Sequence, residues 1–171
     1  MSRPASFQHS QVTKESHKRP LYDLRTILIR QAAREVASSH YSCKGKLYVR
    51  KVKSTDSDPS TWEEGFTFPG HATTTKMRRI FLAGWIAEIM YRGRMDAEKI
   101  NFWLENPALL AKKLNKAIKI NSIVTNNETN IADRTHDDLM AAIKLIKKGW
   151  PRIQDRAKWM AIRILIDGAV N

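Results

Sequence analysis

Leu21-Tyr22-Asp23-Leu24-Arg25-Thr26-Ile27-Leu28-Ile29-Arg30-Gln31-Ala32-Ala33-Arg34-Glu35-Val36-Ala37-Ser38-Ser39-His40-Tyr41 is the stretch on which the fold turns. Leu21, Leu24, Leu28, Ala32 and Val36 recur at helical spacing, which predicts a helix over residues 20–41 with these side chains toward the core. Pro20 suits its first turn, and the Ser38-Ser39 pair and Gly45 mark its end. Arg30 and Arg34 stand one turn apart and share a face. Ile27, Ala37 and Tyr41 fall near that face, so it is not a plain solvated surface.

Downstream, Lys46 to Lys53 alternates, with Leu47, Val49 and Lys51 to one side and Tyr48, Arg50 and Val52 to the other. Its branched and aromatic content predicts a strand. Ser54 to Ser60 reads as a polar, acidic loop, and Gly65-Phe66-Thr67-Phe68 as a second short strand stopped by Pro69-Gly70. Thr73 to Arg92 is the second long helix, with Thr73, Thr74 or Thr75 as its cap and Gly93 as its end. Ile80, Phe81, Leu82, Trp85, Ile86, Ile89 and Met90 make it apolar on almost every side, which places it in the middle of the domain. Gly84 permits close approach by a neighbour. Glu88 is a carboxylate in an apolar turn and needs a cationic or hydrogen-bonding partner.

A short helix capped by Asp96 runs through Leu104, and Pro107 opens another that carries Lys112, Lys113, Lys116 and Lys119 to about Ile120. Asn121 to Asn130 is a polar loop. A helix follows over His136–Lys148, with Leu139, Ala142, Ile143 and Ile146 inward. Gly149 is expected to end it, and Pro151 to open a last helix running to about Asp167. The expected fold is α+β: a predominantly helical single domain over residues 20–171, with a small antiparallel β segment between the first two long helices. Residues 1–19 have no periodicity and read as a flexible basic tail in which His9 and His17 are solvated.

Composition narrows the function. The 171 residues carry 30 Lys and Arg against 17 Asp and Glu, a net charge of +13. That balance favours nucleic acid, an acidic protein surface or an anionic membrane as partner. The charge is uneven: residues 1–53 hold 12 basic and 3 acidic side chains, whereas residues 54–75 hold no Lys or Arg and four acids, Asp56, Asp58, Glu63 and Glu64. Residues 144–163 hold seven basic residues and one acid, Asp155. The single cysteine, Cys43, excludes an intramolecular disulfide and a cysteine-based metal cluster, and fits a reducing compartment. No apolar run approaches the roughly 20 residues of a bilayer span, and the N-terminus lacks a secretory h-region; a cytoplasmic location is expected.

Phe81-Leu82-Ala83-Gly84-Trp85-Ile86-Ala87-Glu88 resembles the glycine-containing helix of FtsH-type zinc metallopeptidases, and Asp137-Asp138-Leu139-Met140-Ala141-Ala142 resembles their later Asn-Asp-Leu helix, whose Asp is the third zinc ligand. The order of segments is similar over roughly residues 20–150, with a long insertion between Arg94 and Arg134. The resemblance places Arg30 and Arg34 where the two histidines of a His-Glu-x-x-His helix stand, Gln31 where the catalytic Glu stands, and Asp138 at the third ligand. It thereby implies a site that has lost its chemistry. Arginine is not deprotonated in proteins and does not ligate zinc, and glutamine cannot serve as a general base. On this reading Arg30 and Arg34 face Asp138, with Glu88 nearby, and their charge-assisted pairs fill the metal's place; the alternative is that the two arginines are only partly neutralised and bind an external anion.

Other constellations are weaker. His40, His71 and His136 with Asp137 or Asp138 have no ligand spacing, and no nucleophile elbow supports a Ser-His-Asp triad; no metal and no cofactor is expected. Asp138 lies on its helix beside Ala142 and Leu145, so it is expected to point inward and need a partner; the alternative is that it merely sits where a helix dipole favours a carboxylate. Arg152, Arg156, Trp159 and Arg163 form one basic stripe with an aromatic in it, and Lys144, Lys147 and Lys148 lie just upstream. Such a stripe can track a phosphate backbone, with the aromatic as a stacking surface, or form a solvated outer face. The reading that follows is a non-catalytic binding protein on a metallopeptidase-like scaffold, engaging nucleic acid or an acidic, nucleic-acid-associated protein. Its small size and basic tail suit a phage or mobile-element accessory protein. A divergent metal-dependent hydrolase and an inhibitor or structural accessory of one specific partner are the alternatives.

Overall fold

A computed structural model of the chain describes residues 24–51, 62–94, 97–121 and 136–170. The expected tail over residues 1–19, the helix start at Pro20 and Leu21, the loop at 54–60, the cap at Asp96 and the loop beyond Asn121 lie outside them. The fold is α+β and mostly helical. In chain order it comprises α1 (Leu24–His40), β1 (Lys46–Lys51), β2 (Trp62–Thr67), α2 (Thr74–Arg92), α3 (Ala97–Glu105), α4 (Pro107–Asn121), α5 (His136–Asp167) and β3 (Ala169–Val170). The strands form one antiparallel sheet in the order β2-β1-β3.

Three helices make the core. α1 packs on α2 and α5, α2 packs on α5, and the sheet lies against α1. Every residue from Thr26 to Arg34 is therefore buried. Leu28 and Ala32, expected inward, are buried, but so are the opposite-facing Arg30, Gln31 and Arg34. α1 and α2 run antiparallel: Tyr41 lies beside Arg79, Arg34 beside Phe81, and Arg30 beside Trp85 and Glu88. α2 is central as predicted, with Ile80, Leu82, Trp85, Ile86 and Met90 buried. Its first turn is capped by Thr73, whose hydroxyl accepts from the Lys76 N–H at 3.3 Å, and Gly93 closes its end.

Ser38 turns α1 into the sheet. Its carbonyl accepts from the Cys43 N–H at 2.8 Å. Its hydroxyl donates to the Cys43 carbonyl and accepts from the Gly45 N–H at 3.0 Å. Cys43 is fully buried in this turn, which leaves its thiol a packing role. In the sheet, β1 and β2 pair with Val49 opposite Glu64 and Tyr48 opposite Gly65. A Cβ at Gly65 would meet the Tyr48 ring at 2.3 Å, so glycine there lets the tyrosine cover the outer face.

Three expectations change. β2 begins at Trp62 and not at Gly65, so Glu63 and Glu64 belong to the sheet. Ala169–Val170 adds a third strand on the other edge of β1; two residues carry too little pattern to be seen in a sequence. Finally, Gly149 and Pro151 do not end one helix and start another: α5 continues through both. An internal proline costs about 3 kcal/mol, whereas each buried aliphatic side chain contributes roughly 1.5–3 kcal/mol. Ile143 and Ile146 before Pro151, and Ile153, Met160 and Ile164 after it, are all buried in the one core, and that outweighs the proline. A Cβ at Gly149 would stand 3.4 Å from Val36, an ordinary contact, so the packing there does not demand glycine.

Candidate functional site

The face of α1 that carries Arg30, Gln31 and Arg34 is closed over by β2 and α2. Alternation along β2 turns Glu64 and Phe66 inward and Glu63 outward. Glu64 thus meets α1, and its two oxygens accept from Arg30, Nη2 to Oε1 and Nε to Oε2 at 3.3 Å. Gln31 Nε2 donates to the same Oε2 at 2.7 Å. From the other side, α2 brings Glu88, whose Oε2 accepts from Arg30 Nη1 at 2.5 Å and whose Oε1 pairs with Arg92 at 2.8 Å. Arg30 therefore bridges a strand and a helix with one planar fork, an arrangement that suits guanidinium and not ammonium.

The rings of α2 complete the enclosure. Arg30 Cζ lies 4.6 Å from the Trp85 ring centre and Arg34 Cζ 5.1 Å from that of Phe81. Between them the two arginine stems cross Gly84, where a Cβ would come within 2.7 Å of Arg34 Nε and 3.1 Å of Arg30 Cγ. Gly84 thus makes room for two arginines. The cluster is nearly dry: Arg30, Arg34, Glu64 and Glu88 are each at most 8% exposed and Gln31 is fully covered. Gln31 Oε1 and Trp85 Nε1 are buried there without a hydrogen-bond partner among the described residues.

Asp138 is not in this cluster. It is buried as its helix position predicts, but its oxygens accept from Arg78 Nε at 2.9 Å and Arg79 Nε at 2.7 Å. The reason is topological. Asp138 opens α5 at the end of the bundle where α2 begins, one turn and more away from Gly84, so the second-turn arginines of α2 reach it before those of α1. Tyr41 lies at the same end. Burial pushes its hydroxyl pKa up, while the Arg79 guanidinium opposes that shift. Arg79 is itself held above its ordinary value by the hydrogen bond to Asp138. Glu64, Arg78, Arg79 and Arg92 are the partners that the sequence reading misses. Glu64 had a signal, since carrying the alternation of β2 back from Phe66 puts it on the inner face.

The outer surface of α5 carries the second set of candidates. Lys144, Lys148 and Arg152 are exposed in one line, and none makes an ion pair among the described residues. The others are engaged. Lys147 donates to Asn101 at 2.6 Å. Arg156 forks onto Glu35 of α1 at 2.6 and 2.8 Å, and Arg163 pairs with Asp167 at 2.6 Å. Trp159 is 43% exposed, with Arg156 stacked 3.9 Å from its ring centre and Arg163 at 5.7 Å. His40, His71, His136 and Asp137 are exposed, and among the described residues no three His, Cys, Asp or Glu side chains are grouped to hold a metal. No helix of the described residues is long and apolar enough to cross a membrane. Comparison with protein-family models, with curated proteins and with solved structures finds no match.

Proposed function

We propose that the chain is a non-catalytic binding protein that takes nucleic acid along the outer face of α5, and that its core is a metallopeptidase-like scaffold whose catalytic position has been filled by an internal ion cluster. The observation that carries the binding half is the exposed line Lys144, Lys148, Arg152, three cations a turn apart with no carboxylate to neutralise them among the described residues. Such a line matches the spacing of phosphates along a groove, and the net charge of +13 adds long-range attraction. The non-catalytic half rests on chemistry. Arg30 offers no lone pair to a metal and Gln31 no titratable proton, while Glu64 and Glu88 are held by Arg30 and Arg92.

The test is a salt titration of binding to single- and double-stranded DNA and RNA, on purified protein first assayed for zinc. The wild-type protein is expected to bind at low salt and weaken steeply as salt rises. Lys144→Ala/Lys148→Ala/Arg152→Ala should make the slope of log K against log salt shallower by roughly 2–3. Arg156→Ala should change the slope little, because Arg156 is committed to Glu35. Absence of low-salt binding, or a triple variant with an unchanged slope, overturns the nucleic-acid reading. Stoichiometric zinc overturns the non-catalytic one.

A further inference from the structure

The outward line of α5 changes character half-way. Lys144, Lys148 and Arg152 give way, past Asp155, to Trp159, Ile162 and Ile166, with Leu165 beside them. These four apolar side chains are 43%, 54%, 70% and 85% exposed for Trp159, Ile162, Ile166 and Leu165. They have no use in a nucleic-acid contact. Phosphates and base edges are met by cations and hydrogen-bonding groups, and only Trp159 offers a stacking surface. Their exposed area is on the order of the largest apolar patch of a typical monomer, about 300–600 Å².

We infer that this end of α5 is the contact between two copies of the chain, packed antiparallel about a two-fold axis beside Ile162 and Arg163. Positions 155, 159, 162 and 166 follow a 4-3-4 step, the spacing of a helix seam that packs on another helix. Because an antiparallel two-fold is reciprocal, Trp159 of one copy meets Ile166 of the other, and Ile162 meets its own counterpart. Lys158, on the same flank as Leu165, lays its aliphatic stem over Leu165 of the second copy. The charge nearest the axis, Arg163, is already paired with Asp167 at 2.6 Å, so no unneutralised like charges meet there. A cleft of about 250 Å³ bounded by Trp159, Arg163 and Val170 leaves room beside the tryptophan for an incoming side chain. Two such patches face to face approach the roughly 1,000 Å² of a specific interface. The arrangement leaves Lys144, Lys148 and Arg152 of each copy outside the contact, at opposite ends of the helix pair, so it stands apart from the nucleic-acid reading.

Sedimentation of the full chain at several salt concentrations tests this. Two bodies of charge +13 repel, so an apolar contact between them should tighten as salt screens that repulsion, the opposite sign to phosphate binding. Ile162→Glu, at a half-exposed position that leaves the fold intact by circular dichroism, should weaken self-association at least about 30-fold. Ile162→Cys should form an intermolecular disulfide under mild oxidation, and Lys144→Cys, far from the axis, should not. A monomer at every concentration and salt, or self-association unchanged by Ile162→Glu, overturns the proposal. So does an Ile162→Cys protein that cross-links no better than Lys144→Cys. Loss of binding to nucleic acid or to anionic vesicles in a monomeric Ile162→Glu protein would assign the patch to that partner instead.

Discussion

Arginine does opposite work in two regions of this molecule. Inside, Arg30 is wrapped by Glu64, Glu88 and Trp85 and is 4% exposed. Outside, Arg152 stands exposed in line with Lys144 and Lys148. The inner charge is held by two carboxylates on different elements; the outer ones make no ion pair among the described residues. The difference lies in the supply of carboxylates. The sheet and α2 bring Glu64 and Glu88 to α1, whereas the outer line of α5 has few acids near it, and Asp155 takes Lys158 at 3.7 Å. Burial converts a surplus of positive charge into a structural link, and exposure leaves it to solvent, where the proposed binding would use it.

The sharpest way to break the inner half is to remove its centre. Arg30→Met leaves two carboxylates buried without their shared cation, and a broken buried pair costs about 3–5 kcal/mol. Denaturant unfolding should show that loss as a lower midpoint with an unchanged slope. The triple change Arg30→Met/Glu64→Leu/Glu88→Met should recover most of it, because removing a buried ion cluster as a whole is often neutral or stabilising. Gln31 Oε1 and Trp85 Nε1, buried without a hydrogen-bond partner among the described residues, already weigh on the cluster. A triple variant as unstable as the single one would show that the cluster holds the sheet onto α1 in a way packing cannot replace.

Gly84→Ala comes next. The added methyl would stand 2.7 Å from Arg34 Nε and 2.9 Å from its Cγ, with Arg30 Cγ at 3.1 Å. Alanine is the better helix former by about 1 kcal/mol, but overpacking of this kind costs typically 1–3 kcal/mol. The net effect expected in the same unfolding experiment is a loss of about 1 kcal/mol. In an Arg34→Ala background the substitution should become stabilising. If Gly84→Ala stabilises the wild-type chain, the two arginine stems are not packed across it.

What a sequence alone conveys here follows the same divide. The amphipathic and all-apolar helices, the alternation of β1 and a threonine cap at Thr73, Thr74 or Thr75 depend on neighbours in the chain, and local pattern reports them. The inward Asp138 was readable for the same reason, from its place beside Ala142 and Leu145. Which arginine meets which carboxylate depends on how helices are laid end to end. That is why Asp138 takes Arg78 and Arg79, 60 and 59 residues away, while Arg30 takes Glu64 and Glu88. The run through Pro151 escaped for a related reason: the proline is a local signal, and the buried residues that override it act through α1 and α2.

Glu63 and Glu64 bring the comparison down to neighbouring residues. One turns inward to Arg30; the other turns outward, where Arg50 donates to it at 2.7 Å and the Tyr48 hydroxyl at 3.4 Å. The hydrogen bond from Arg50 holds the Glu63 carboxyl below its ordinary pKa. A carboxyl depressed in the folded state contributes stability that is complete above its unfolded pKa, about 4.3, and is lost as pH falls through the lower folded value. Glu63→Gln should therefore lower the melting temperature slightly and by a constant amount from pH 7 to about 5, and the gap to wild type should close as the solution is made more acid than about pH 4. The effect must be small, because Arg50 is 60% exposed and water and salt screen the pair. A gap that persists at the acid end would mean that the side chain's packing against Tyr48, and not its charge, is what the sheet uses. Glu64, one residue on, would then be the place where charge matters and Glu63 only its outward echo.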